Sequence, residues 1–390
     1  MFETLNLGMT VGDLLKLIPP HIFQDLSVET KVDAQVKKLS GEVIFKLILF
    51  SMLNSNKLSL RVMETFLHSA KFKSFTHYDI LEGKYNSIRD RICTINATYF
   101  EKLFAQIFSI YNKELKEQKA LVKVDSTLVT LATKLFIDGM KLGSKDRRYV
   151  KYSVAMKGSI PCSVKVFKEQ SYVSEDKALS AVINDSDEIK DNIIVFDRGL
   201  SSRKSFDKFS VDGKWFITRS KSDIRIETTE TIDITEKPQN STVTIISDRK
   251  GKLLTGKSQQ ATETYRVIIA TIDNTKEPIC FVTNMLSDDA YLIASWYKQR
   301  WEIELFFKFI KQHLNVSHLV SRDENGIKVM IYMTMILAIL ILSYKKMNRL
   351  NGFKIPKLKF ELELENEIIK EIVKLCGGDP DKAQHLFSSA

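Results

Sequence analysis

Up to about residue 118 the apolar positions of the chain recur at helical spacing. "SGEVIFKLILFSMLN" opens on Ser40 and "SLRVMETFLHS" on Ser59, and a serine before an apolar run is a preferred helix cap. "NATYFEKLFAQIFSIYNKEL" follows with Asn96 at its head and Phe100, Leu103, Phe104, Ile107 and Ile110 at helical spacing. Short helices divided by polar breaks predict a small bundle over 1–118.

At residue 121 the period changes to alternation. "LVKVDSTLVTL", "RYVKYSVAM" and "PCSVKVFKE" predict three strands, the last two joined by a turn at "KGSIP". "SEDKALSAVIND" predicts a helix capped by Ser174. "DNIIVFDRG" predicts a short strand covered on both faces that ends at Asp197, and "KWFITRS" another strand. Strands alternating with helices predict an α/β layered domain over 119–325. Between about 220 and 284, "RIETTETIDITEK", "STVTIISD" and "YRVIIATI" predict an antiparallel β-rich insertion in that domain.

"WYKQRWEIELFFKFIKQHL" at 296–314 predicts one long helix. On an ideal helix Tyr297, Arg300, Glu304, Lys308 and Lys311 share a stripe about 80° wide, with apolar residues on the rest of the circumference. "VMIYMTMILAILIL" at 329–342 is shorter than the roughly 20 residues a membrane span needs, and predicts a buried core helix. The basic stretch "YKKMNRLNGFKIPKLK" and the acidic amphipathic "ENEIIKEIVKLC" complete a C-terminal helical region over 326–390.

Charge narrows the partner. Lys and Arg outnumber Asp and Glu by 58 to 48, a formal net charge of +10, which favours a polyanion, most often nucleic acid. Cys93, Cys162, Cys280 and Cys376 lack any C-x-x-C spacing, which argues against a zinc site or disulfide framework and fits a reducing cytosol. The start "MFETLNLGMT" does not read as a secretory signal. A cytoplasmic protein without a membrane partner is expected. Lys145, Arg147, Arg148, Lys151 and Lys157 cluster after the first strand, as a solvated face or a phosphate-binding rim.

Three acids stand where chemistry would want them: Asp125 within the first strand, Asp197 at the end of the buried strand, and Glu304 in the charged stripe. Sites in open α/β sheets form outside the carboxyl ends of strands. Each acid also has a plainer reading. Asp197 before Arg-Gly suits a turn, Asp125 beside Ser126 suits local backbone hydrogen bonds, and Glu304 between Arg300 and Lys308 suits a solvated ion pair. Together they suit Mg²⁺ or Mn²⁺, because carboxylate oxygens are hard ligands. Two such ions activate the attacking oxygen and stabilise the leaving one in phosphodiester displacement.

The spacing of Tyr297, Arg300, Glu304 and Lys311 resembles the Tyr-Arg-Glu-Lys signature of the insertion-sequence-four family of bacterial transposases. "VDST" and "VFDRG" resemble that family's two aspartate motifs, in the same order. The resemblance implies an RNase H-like catalytic domain with a β-rich insertion, preceded by an N-terminal helical DNA-binding domain and followed by C-terminal helices. It implies a triad of Asp125, Asp197 and Glu304 holding two Mg²⁺ or Mn²⁺ ions. Tyr297, Arg300 and Lys311 would contact the backbone of double-stranded transposon-end DNA, with Lys308 and Arg198 as further contacts. Cleavage at the ends, often through a hairpin, would free a 3'-hydroxyl for joining to target DNA by a homodimer. Relatives hold a flipped base with a tryptophan in the β insertion. Trp215, Trp296 and Trp301 all lie outside the interior of that insertion, so the role falls to Tyr265 or Phe281 or is absent, while Trp301 is expected to pack. The rival readings are an RNase H-like nuclease without strand transfer and a non-catalytic DNA-binding derivative.

Overall fold

A computed structural model describes the chain except residues 1–7, 56, 77–81, 117–120, 132–138, 144–147, 222, 255–260, 315–319, 322 and 384–390. It divides into two compact units, one formed by Met1–Lys116 with Lys308–Ala390 and the other by Glu117–Phe307.

The first unit opens with seven helices: α1 (Val11–Lys16), α2 (His21–Thr30), α3 (Gly41–Asn54), α4 (Leu60–Leu67), α5 (Ala70–Thr76), α6 (Tyr85–Thr94) and α7 (Ala97–Leu115). The caps fall where the side-chain chemistry places them. Ser40 accepts from the Val43 N–H, Ser59 from the Val62 N–H and Asn96 from the Thr98 N–H, which satisfies donors that a helix start leaves open.

The second unit is a mixed α/β layer structure. Its elements run β1 (Val122–Leu131), β2 (Met140–Lys141), β3 (Arg148–Lys157), β4 (Ile160–Phe167), α8 (Glu175–Asp185), β5 (Ile193–Phe196), α9 (Arg203–Val211) and β6 (Trp215–Ser220). There follow β7 (Ile226–Thr231), β8 (Val243–Leu253), β9 (Tyr265–Ile272), β10 (Pro278–Thr283), α10 (Ala290–Lys298) and α11 (Trp301–His313). All the strands join one sheet in the order β2-β3-β1-β5-β6-β10-β9-β8-β7, with β4 on β3. β1, β5 and β6 are mutually parallel and the other pairings antiparallel. The strands of 220–284 pair antiparallel as expected. They continue the same sheet through β10 on β6, which composition alone did not specify.

The expected single helix over 296–314 is two. α10 ends at Lys298 and α11 begins at Trp301. Across the junction the N–H groups of Gln299, Arg300, Glu302 and Ile303 donate to carbonyls three residues back, at 3.0–3.1 Å. The burial pattern gives the reason. Ala290, Tyr291, Ile293, Ala294 and Tyr297 are buried on α10, and Ile303, Phe306 and Phe307 on α11. On one ideal helix these two faces would lie roughly opposite each other, so the break lets each segment bury its own.

The first unit resumes within α11 and adds α12 (Glu324–Met347) and α13 (Lys354–Leu375). α12 contains the apolar run 329–342 and extends it. At 24 residues it is long and apolar enough to cross a membrane, but nearly all of its apolar stretch is buried in the protein. It packs on α3, α6, α7 and α13. α13 starts inside the basic stretch, at Lys354.

Within the extended sheet, Arg266 of β9 and Asp248 of β8 form a buried bidentate pair, Nε to Oδ1 at 2.8 Å and Nη2 to Oδ2 at 2.6 Å. Their side chains are 3% and 1% exposed. Removing one partner leaves a buried charge without its counter-ion. Asp248→Ala is therefore expected to lower unfolding stability by about 3–5 kcal/mol, read from chemical denaturation; a loss under about 1 kcal/mol would contradict the buried pairing.

Candidate active site

The two aspartates meet through strand register. β1 and β5 pair in parallel with Val124 opposite Phe196, so Asp125 and Asp197, each the next residue, stand side by side. Neighbouring strands are about 4.8 Å apart. Asp125 accepts the Ser126 N–H at 2.7 Å, and the Ser126 hydroxyl lies 2.6 Å from that of Ser153 on β3.

The α10–α11 junction brings in the rest. The Tyr297 hydroxyl donates to Asp197 at 3.4 Å. Arg300, in the junction, donates to Glu304 at 2.7 Å, and its guanidinium lies 5.8 Å from the Tyr297 ring centre. Burial works against the charge of Arg300, but Glu304, Tyr297 and Asp197 outweigh it and hold its pKa above the usual value. Burial also pushes the Tyr297 hydroxyl upward. Asp125 is pushed up to about 6, chiefly by burial, with the negative fields of Glu175 and Asp197 adding and the Ser126 N–H and Arg300 opposing. Arg300 thus acts on all three acids.

Glu175 escaped the sequence reading. The helix predicted from "SEDKALSAVIND" does start at Glu175 with Ser174 at its N-cap position, though Ser174 makes no side-chain cap bond. Glu175 instead takes Lys151 at 2.9 Å, while its Oε2 is buried with no hydrogen-bond partner. A Cβ on Gly199 would meet its Cβ and Cγ at 3.1 Å, so the glycine after Asp197-Arg198 allows the loop to lie against α8. Lys151 is correspondingly not a rim residue. It is buried, and it also donates to the Val173 carbonyl. Lys145 and Arg147 of the same cluster lie outside the described residues.

Arg198, Lys308 and Lys311 are exposed. The two lysines fall on the part of α11 assigned to the first unit. A cavity of about 560 Å³ adjoins Tyr297, Arg300 and Trp301, with Phe281 and Val243 among its other walls. Trp301, expected to pack, is 59% exposed. Tyr265, expected as a stacking candidate, is fully buried with its hydroxyl on Asp207. Phe281 is 1% exposed.

Among the described residues no group of three His, Cys, Asp or Glu side chains converges closely enough to hold a metal ion. The donor chemistry nevertheless fits a divalent cation. Two adjacent carboxylates, one of them made reluctant to ionise by burial, and an orphaned carboxylate oxygen on Glu175 leave acceptor capacity in surplus. Glu304 is held by Arg300 in this structure.

A profile of the family described as "Transposase DDE domain" matches residues 116–341. The probable transposase for insertion sequence element IS5377 of Geobacillus stearothermophilus is 26% identical over 286 residues, 70% of this chain and 72% of the relative. The putative transposase for insertion sequence element IS4SA of Synechocystis sp. is 27% identical over 257 residues, 62% of this chain and 66% of the relative. Among solved structures, a cryo-EM structure of the piggyBac transposase synaptic complex with hairpin DNA aligns with a TM-score of 0.47 at 9% identity, over 93% of this chain and 82% of that one.

The raised carboxyl has a thermodynamic consequence. Its folded-state pKa of about 6 lies above the ordinary 3.8, so ionising it opposes folding. The stability of the neutral form is lost as the pH rises from below 4 through 6. In chelating buffer Asp125→Asn should match the wild type near pH 4 and exceed it above pH 7, by up to about 3 kcal/mol for a two-unit shift. A stability difference that stays constant from pH 4 to pH 8 would refute this.

Proposed function

The chain belongs to the family of DDE-domain transposases, whose profile spans more than half of its length, and we propose from that premise that it cuts DNA at the ends of a mobile element and joins the freed 3'-hydroxyl to target DNA. The family brings with it the use of a divalent metal. The observation that carries the site assignment is the linkage of Asp197 through Tyr297 and of Glu304 through Arg300, around two aspartates aligned by register. The order β4-β3-β1-β5-β6, with β1, β5 and β6 parallel and β3 antiparallel, supports an RNase H-like core.

Asp125, Asp197 and Glu304 would hold two Mg²⁺ or Mn²⁺ ions, which when bound supply Lewis-acid activation and charge stabilisation for phosphodiester exchange. Arg300 neutralises Glu304 when DNA is absent. A backbone phosphate offers the guanidinium a stronger, bidentate partner and so frees the carboxylate as the DNA end arrives. Tyr297 keeps Asp197 oriented by its hydrogen bond and walls the site with its ring. Arg198, Lys308 and Lys311 supply exposed positive charge for the flanking backbone. End recognition is assigned to the helices of 1–118, the working form to a homodimer on paired ends, and its place to the cytoplasm on the nucleoid. The exposed Trp301 at the cavity rim takes the base-stacking role that the burial of Tyr265 excludes.

Two experiments on paired transposon ends test this reading. Glu304→Ala is expected to bind ends as the wild type does and to lose Mg²⁺-dependent cleavage by roughly 10³-fold or more, several kcal/mol of transition-state stabilisation. Equal cleavage by both proteins would remove Glu304 from the site, and cut ends without joined products would make the enzyme a nuclease. For Trp301→Ala, the fluorescence of 2-aminopurine at the terminal nucleotides should stay unquenched in the complex and hairpin product should fall. Quenching that matches the wild type would exclude the stacking role.

A further inference from the structure

We propose that the ion pair between Lys123 and Glu302 fixes the roll of α11 on the sheet, and thereby sets Glu304 against Asp125; both are positioning residues. The inference rests on the triad proposed above and adds to it a pair that lies outside the family signature.

Lys123 precedes Asp125 by two residues on β1, so the two share a strand face. Its side chain is 2% exposed, and its ammonium donates to the Gly158 carbonyl and to Glu302, both at 2.6 Å. A lysine buried this completely is rare and costs several kcal/mol of desolvation. A methionine or leucine would fill the same space, and apolar replacement of buried pairs is often neutral or stabilising. Stability alone therefore gives little reason for a lysine here, whereas a directional contact to one point on α11 does.

That point is well placed to control Glu304. Ile303, Phe306 and Phe307 form the buried face of α11 in this unit. By an ideal helical step, Glu302 and Glu304 lie on opposite edges of that face, roughly 160° apart. Apolar packing is non-directional and leaves the helix free to roll. A roll of about 10° on a radius of about 5–6 Å moves a carboxylate by about 1 Å, beyond the roughly 0.5 Å that a working site tolerates. Lys123 holds one edge and so fixes the other. A second contact lies farther along, where the Tyr152 ring, opposite Thr127 in register, meets Phe307 edge-on at 6.1 Å. The two contacts, Lys123 with Glu302 and, on the neighbouring strand at the register of Thr127, Tyr152 with Phe307, bracket Asp125 on the sheet and Glu304 on the helix.

The test compares full-length wild type, Lys123→Met, Glu302→Gln and Asp125→Asn on transposon-end DNA. Four quantities are read: end binding, thermal midpoint, the Mg²⁺ concentration for half-maximal cleavage, and Mn²⁺ affinity from the loss of the free-ion EPR signal. Lys123→Met should keep end binding and the thermal midpoint, weaken Mn²⁺ binding about 10–100-fold, raise the Mg²⁺ midpoint in step and slow cleavage about 100-fold. Glu302→Gln keeps an acceptor for the ammonium and should fall between the two. Should Lys123→Met fail to fold, Glu302→Gln decides, because Glu302 is half-exposed. Wild-type metal affinity and cleavage in both variants would overturn the proposal. So would activity lost in proportion to thermal midpoint with metal affinity unchanged, since that is a structural pair only. Cleavage by Asp125→Asn equal to wild type would instead sink the triad, and the Mn²⁺ affinities of the pair variants would still decide the tie.

Discussion

Asp125 and Asp197 stand level across the parallel pairing of β1 and β5 in a partly dry space, and the Arg300 guanidinium is a cation within electrostatic reach of both and of Glu304, to which it is hydrogen-bonded. Like charges at this range disfavour one another's ionised forms, and burial adds to the effect. The fold accepts that cost at Asp125, whose carboxyl is pushed up to about 6. Glu304 is tied to Arg300 and Asp197 to Tyr297 by hydrogen bonds. An arrangement that repels itself favours positive charge beside it, and Arg300 is the cation that the fold provides.

The sheet delivers this crowding with little freedom. Parallel pairing of β1 with β5 puts Asp125 and Asp197 level, and a shift of one residue would send one carboxylate to the opposite face. Gly199 lets the loop after Asp197 lie against Glu175. The antiparallel strands of 226–283 carry the sheet on past β6, and α10 packs over them with Tyr297 in the same apolar cluster as Phe281, Ile268 and Ile245. The extension therefore supports Tyr297 directly, and through it the hydrogen bond to Asp197.

Much of this was legible in the residues. Alternation placed Asp125 inside a strand and the apolar run placed Asp197 at a strand end, because side-chain period and burial are written locally. The helix caps at Ser40, Ser59 and Asn96 were legible for the same reason. What failed was whatever depends on a distant partner. Lys151 read as part of a basic surface, but Glu175 and the Val173 carbonyl draw it inside. Tyr265 read as available for stacking, but the sheet encloses it. Glu175 and Glu302 escaped the sequence reading, since the lysines that meet them come from other elements. The break at Gln299 and Arg300 could have been read from the opposed apolar faces, but an unbroken helical wheel hides a change of direction.

That break changes what the four-residue signature means physically. On a continuous helix, Tyr297, Arg300, Glu304 and Lys311 would be one row of contacts at a fixed pitch. As folded, Tyr297 closes α10, Arg300 occupies the junction, Glu304 lies in the first turn of α11 and Lys311 in its last. A carboxylate in a first turn and a cation in a last turn both suit the helix macrodipole, each by about 0.3–1 kcal/mol. Arg300 sits where backbone geometry is set by two successive three-residue turns rather than by a continuing helix, so its guanidinium meets Tyr297 and Glu304 from the corner between them. A spacing that looks like one face of a helix is instead a corner, with Tyr297, Arg300 and Trp301 on the wall of one cavity and Glu304 held by Arg300 within the next turn.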